Sequence, residues 1–231
     1  MKRPAKNRVA EMPPASISQS AEDLRNLSGA NTINAMREVA RTCKACDLWK
    51  TGTQTVFGEG AARAKIMFIG EQPGDQEDRA GHPFVGPAGK LLDQALGDAG
   101  IDRNQVYVTN VVKHFKWEAS ERGKRRIHKK PRSSEIQACR PWLDAELSLV
   151  KPAVLVCLGA TAAQALFGRT FSVKRQRGEA VASPLAPFAM ATFHPSAILR
   201  APDSKSRHEM MRILTDDLKR AAQLAARKKA A

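Results

Sequence analysis

No apolar run in the chain approaches the roughly 20 residues that a membrane-spanning helix needs, so a helical membrane protein is not expected. Met1 to Gln19 is basic but lacks the apolar stretch of about 7–15 residues that marks a secretory signal, so a cytoplasmic location is expected. Acidic residues are in short supply: 23 Asp+Glu face 38 Lys+Arg in 231 residues, a net charge of +15 with histidines neutral. That imbalance points to a polyanionic partner, nucleic acid first, with a solvated basic surface as the plainer reading. Internal repeats are absent, which argues against a solenoid. Cysteines number only four: Cys43, Cys46, Cys139 and Cys157. Two disulfides are not expected in a cytosolic chain of this size, and the Cys43-x-x-Cys46 pair turns the reading towards metal ligation. Gly86-Pro87-Ala88-Gly89-Lys90-Leu91 resembles part of a phosphate-binding loop, but no Ser or Thr follows Lys90, so no nucleotide triphosphate is expected as partner.

Hydrophobic residues make up 42% of the chain, enough for a packed core of one medium domain. Residues 1–28, rich in Lys, Pro, Ser and Ala, read as a basic flexible arm; 29–226 form the domain; 227–231 are a basic tail. Within the domain, helical and strand-like segments alternate. Residues 32–42 look helical. Lys65 to Gly70 is a buried strand, and Leu91, Leu92, Ala95 and Leu96 have helical spacing. Gln105 to Val111 is a second strand. Ser134-x-x-Gln137 has the form of a capping box that opens a helix to about Leu149, with a kink at Pro141. Strands over 153–158 and 189–193 flank an alanine-rich helix at 160–167, and a long amphipathic helix spans 206–226. Strands separated by helices imply right-handed crossovers and a parallel sheet covered on both faces, with ligands bound beyond the C-terminal strand ends. At those ends stand Gly70-Glu71-Gln72-Pro73-Gly74-Asp75, Asn110-Val111-Val112-Lys113-His114 and His194-Pro195-Ser196-Ala197.

Gly70 to Gly74, Gly81-His82-Pro83-Phe84-Val85-Gly86, Thr109 to Lys113 and His194 to Ala197 resemble, in order, the motifs of family-four iron–sulfur uracil-DNA glycosylases, over about residues 30–220. The resemblance implies an α/β, three-layer α/β/α sandwich with a central four-stranded parallel sheet. It also implies uracil-containing DNA as partner and a [4Fe–4S] cluster on Cys43, Cys46, Cys139 and Cys157 as cofactor. Two departures stand out: Gln72 occupies a position usually held by Ala, and a basic insertion runs Gly123-Lys124-Arg125-Arg126-Ile127-His128-Lys129-Lys130-Pro131. Both look like the UdgX subgroup, which becomes covalently attached to uracil-containing single-stranded DNA through the histidine of this loop.

On that resemblance, His128 is expected to capture sugar C1′ after uracil leaves, Glu71 to orient and polarise His128, and His194 to donate a hydrogen bond near uracil O2. Asn110 presents a donor and an acceptor to the uracil N3–H and O4 edge. Phe84 is the expected stacking platform, and Gln72 is expected to contact the base or to help position the loop. Asp75 and Asp78 are expected to support the loop, Arg126 to anchor it against the body or the DNA backbone, and Lys124 and Arg125 to meet phosphates. Nine Lys/Arg and two Glu over 113–132 make a flap of charge +7 whose DNA affinity should depend on salt. Two alternatives stand beside covalent capture: a turnover glycosylase using water, and a non-catalytic iron–sulfur nucleic-acid-binding module. A monomer is expected.

Overall fold

Short aliphatic runs become strands here because both of their faces find helices to pack on. The computed structural model describes residues 31–121, 123 and 125–227; the expected arm (1–28), Lys124 and all of the tail beyond Arg227 lie outside them. The chain begins with α1 (Ile33–Ala40), a two-residue strand β1 (Glu59–Gly60) and β2 (Ile66–Gly70). Next come α2 (Asp75–Ala80), α3 (Pro87–Asp98) and β3 (Tyr107–Asn110), then a hairpin of β4 (Trp117–Ala119) and β5 (Arg126–His128). It continues through α4 (Ser133–Val150), β6 (Val154–Leu158), α5 (Ala160–Phe167) and α6 (Val173–Gln176) to β7 (Phe188–Thr192), α7 (Pro195–Leu199) and α8 (Ser204–Ala226). The main sheet has the order β1-β3-β2-β6-β7. Its last four strands pair in parallel, the arrangement expected from the alternation, and β1 adds an antiparallel edge that the sequence reading did not contain.

Every residue of β2 and β6 is buried, which is the condition of a central parallel strand. Successive side chains divide between two cores. Met67, Ile69, Leu155 and Cys157 face α1 and α4, whereas Ile66, Phe68, Val154 and Val156 face α3 and α8. Each such aliphatic side chain contributes about 1.5–3 kcal/mol by leaving water. Among the described residues no helix is long and apolar enough to cross a membrane.

One local expectation changes. Helix α4 starts one residue earlier than Ser134, and its cap pairs Arg132 with Glu135 rather than Ser134 with Gln137: the Glu135 carboxylate accepts the Arg132 N–H at 2.5 Å. A carboxylate is the stronger acceptor, and Lys116 Nζ, 2.9 Å away, fixes it in place. Pro141 lies inside the helix.

The basic segment is a tethered hairpin rather than a loose flap, and much of its charge is already committed. Lys113 is 1% exposed, and its Nζ donates to Thr109 Oγ1 (2.6 Å), the Asn110 carbonyl (2.8 Å) and Glu146 Oε2 (2.6 Å). Glu146, fully buried, also accepts from the Gly58 N–H and Tyr107 hydroxyl. Lys116 pairs with Glu135, Lys129 with Glu118 and Arg126 with Asp75 and Asp78, so four of the nine cations counted for phosphate binding are internally paired. Lys113→Met should leave the Glu146 charge buried without its cation, costing about 3–5 kcal/mol in denaturant unfolding; a loss under 1 kcal/mol would mean that the neutral donors suffice.

Candidate active site

The C-terminal ends of β2 and β3 lie side by side, with Gly70 paired to Asn110. A Cβ on Gly70 would come within 2.3 Å of Asn110 Oδ1 and 2.8 Å of Phe84 Cζ, so glycine is what allows the amide and the ring to close over the strand end. Phe84 holds this place from a left-handed backbone conformation (φ 59°) and is buried. Asn110 is 3% exposed. Its carboxamide makes no hydrogen bond among the described residues, where the only enclosed unpaired side-chain polar atom is Arg37 Nε. The little surface that Asn110 has therefore includes its amide, which is free to pair with a ligand.

His194 follows β7 and caps α7. Its Nδ1 accepts the Ser196 N–H (3.1 Å) and lies 2.8 Å from the Ser196 hydroxyl. A backbone N–H can only donate, so Nδ1 carries the lone pair and the proton of the neutral ring sits on Nε2. Burial first, then Arg200 and His128, push the His194 pKa down to about 4. The ring lies 6.2 Å from that of Phe84, tilted by 30°. A neutral N–H donor thus stands beside the aromatic ring and the free amide.

The hairpin is clamped over this edge. Gln72 Nε2 donates to the carbonyls of Lys116 (3.1 Å) and Lys129 (3.0 Å), and its Oε1 accepts the Lys116 N–H at 3.3 Å. Both amide hydrogens are used, so this side chain holds the two hairpin strands at their base, the loop-positioning one of the two roles expected of it. Arg126 Nε donates to Asp75 Oδ1, while Nη1 donates to Asp78 Oδ2 (2.6 Å) and Thr53 Oγ1 (3.1 Å). Its guanidinium lies over Phe115 and Trp117, 5.3 and 5.5 Å from their centroids. Arg126 therefore grips the body of the protein and is not free for a DNA phosphate. Partial burial opposes ionisation of Asp75, yet hydrogen bonds from Arg126 and Arg79 hold its carboxyl below the usual range. Asp78 is fully buried and also accepts the Thr53 N–H. Arg125 is exposed, and its backbone closes the hairpin turn with Ser120.

That clamp delivers His128, at the end of β5, to Glu71: Nε2 lies 3.5 Å from Glu71 Oε1. The His128 ring is 6.0 Å from Phe115, and its side chain is 48% exposed. Partial burial lowers its pKa from the usual value; Glu71 opposes that shift, and Arg200 adds to it. The remaining oxygen of Glu71, Oε2, accepts a hydrogen bond from Thr161 of α5. The sequence reading missed both Arg200, whose charge is felt at two histidines, and Thr161. Arg200 lies six residues beyond His194, one helix away, so only the folded chain connects them.

The four cysteines all belong to or border one buried core. Cys43, Cys46 and Cys139 are mutual neighbours: burial raises the Cys46 and Cys139 thiols, and the nearby thiols raise them further. Trp142 Nε1 donates to Cys43 Sγ and the Lys113 N–H to Cys139 Sγ, both at 3.2 Å. Cys157 instead lies inside β6, opposite Ile69 and Ala191, and burial alone raises its thiol. Its side chain faces the α1–α4 core, the same buried core to which Cys43 and Cys139 belong. Among the described residues no three His, Cys, Asp or Glu side chains are gathered as a finished metal cage.

A family model described as the uracil DNA glycosylase superfamily matches residues 57–219. A Sulfurisphaera tokodaii protein named type-4 uracil-DNA glycosylase is 35% identical over 203 residues, covering 84% of this chain and 86% of that protein. One of the same name from Thermotoga maritima is 36% identical over 190 residues, covering 82% of this chain and 92% of its own length. A third, from Archaeoglobus fulgidus, is 34% identical over 207 residues, covering 84% and 92%.

Proposed function

Since the chain belongs to the uracil-DNA glycosylase superfamily, we propose that it excises uracil from single-stranded DNA and remains covalently joined to the abasic sugar through His128. One observation carries the covalent reading: a clamped hairpin presents His128 Nε2 to the same edge that holds Asn110, Phe84 and His194. The Asn110 amide donates to uracil O4 and accepts from N3–H; cytosine reverses both roles. Phe84 stacks on the extruded base, and a single strand avoids the cost of unpairing it.

As the C1′–N1 bond breaks, its electron pair passes to uracil, and His194 Nε2–H donates to the developing anion near O2. A neutral donor is suited to this, because its proton stays on the protein while charge accumulates. C1′ takes on cationic character beside the Glu71 carboxylate. For capture the neutral His128 ring carries its proton on Nδ1 and its lone pair on Nε2. Nε2 then bonds to C1′, the ring becomes cationic next to Glu71, and loss of the Nδ1 proton to solvent leaves a neutral N-linked imidazole. Such a ring is a poor leaving group, so the adduct persists. Gln72, Arg126, Asp75 and Asp78 position the hairpin; Arg125 is exposed for backbone phosphates, and Lys124, beside it in sequence, is assigned the same task.

The test is a denaturing gel with single-stranded DNA carrying one uracil, beside thymine and duplex controls. A band surviving heat and detergent with the uracil strand alone is expected. Free abasic DNA over many turnovers would favour the water-using glycosylase, and reversible, salt-sensitive binding indifferent to uracil would favour a binding module.

For the cofactor we assign Cys43, Cys46, Cys139 and Cys157 to a [4Fe–4S] cluster. The first three are mutual neighbours, and Cys157 belongs to the same buried core. When bound, the cluster would tie the segment around α1 to the domain; no step of bond breaking passes through it. Cys139→Ser and Cys157→Ser should each lose most of the iron content and visible colour. Full iron in either variant, or a colourless protein with stoichiometric zinc, would overturn this ligand set.

A further inference from the structure

The Thr161 hydroxyl is one of the few polar groups at this edge that the mechanism above does not use. Thr161 is the second residue of α5 and is 6% exposed. Gly159, just before the helix, has φ 87°, and a Cβ there would come within 2.9 Å of His194 Cβ. That absence of a side chain lets the start of α5 approach the edge closely. The hydroxyl donates to Glu71 Oε2, while Oε1 of the same carboxylate faces His128 Nε2 at 3.5 Å. A free glutamate side chain samples several rotamers and presents either oxygen. With one oxygen held by a buried, β-branched residue whose own χ1 is restricted, the other points in one direction.

We propose that Thr161 is a positioning residue: it anchors Glu71 so that one carboxylate oxygen stays aimed at the reacting nitrogen of His128. This deepens the reading of His128 as nucleophile and rests on it. Anchoring keeps the negative charge where C1′ and then the imidazole ring become positive, without reorientation during the reaction. The charged and titratable groups that bear on His128 are Glu71 from the end of β2, Arg200 from the end of α7 and His194 before it. Of these, Glu71 favours the protonated ring. Releasing Glu71 therefore weakens the support for positive charge on His128.

The test compares wild type with Thr161→Val, which keeps the shape and loses the donor, and with Thr161→Ser, which keeps the donor. Two quantities are read: the His128 titration midpoint, by NMR of the ring proton, and the single-turnover capture rate on uracil-containing single-stranded DNA against pH. In Thr161→Val the midpoint is expected to fall by about half a pH unit. The plateau capture rate is expected to fall about tenfold, even though more of the ring is neutral. Thr161→Ser should restore both, and melting temperatures of all three proteins show whether the fold is intact. A midpoint that stays or rises in Thr161→Val, or a serine variant that restores neither quantity, overturns the proposal. If the wild type forms no adduct, the covalent reading fails by itself, while the NMR titration still decides whether Thr161 aims Glu71.

Discussion

His128→Ala is expected to lower the yield of heat-resistant DNA adduct on the order of a thousandfold or more, because it removes the atom that bonds to C1′. Uracil release should fall much less, since Asn110, Phe84 and His194 lie on strand ends and a loop that do not depend on the hairpin tip. The two readouts should therefore separate: free uracil measured by chromatography persists, and the band on a denaturing gel disappears. His128→Ser should leave room for a water at the same place and convert part of the lost capture into turnover. Retention of the adduct in the alanine variant would remove His128 from the reaction. The pH dependence has a defined sign. His128 titrates below its ordinary value because burial and Arg200 disfavour its charged form, so capture is present above that midpoint and is lost as pH falls through it.

His194→Ala is expected to slow uracil release by about 10²–10³-fold under single-turnover conditions, the usual cost of removing one preorganised donor from a developing anion. Free enzyme should still bind the uracil strand, because stacking on Phe84 and the Asn110 amide remain. The effect should therefore appear in the rate at saturating enzyme and little in binding. Its pH limit is separate from that of His128: the His194 ring stays neutral down to about pH 4, so protonation of His194 does not restrict release at mildly acidic pH. Above that value Nδ1 accepts the Ser196 N–H and Nε2 carries the proton; below it the ring must give up that acceptor role. Release that falls off at pH 6 along with capture, or a variant with unchanged release, would contradict a neutral donor at this position.

Much of the site was legible because it sits where a parallel sheet puts its ligands. Gly70, Asn110 and His194 all follow strand-like runs, and the crossover rule sends those ends to one edge. The basic insertion was equally visible as composition. What composition could not show was where each charge goes. Lys113 and Arg126 look like phosphate ligands in a string of cations, yet one is buried on Glu146 and the other is gripped by Asp75 and Asp78. For Gln72 the motif left base contact and loop support both open; its partners are carbonyls 44 and 57 residues away.

By itself the sequence determined the alternation of strands and helices, the parallel core and which polar groups stand at the strand ends, since periodicity and motif order are local properties of the chain. Tertiary structure alone decided which nitrogen of His194 carries the proton, that Thr161 holds Glu71, and that the charge of Arg200 bears on both histidines. Those are contacts between distant segments, and their energies depend on distance, direction and exclusion of water, none of which is written in the spacing of residues along the chain.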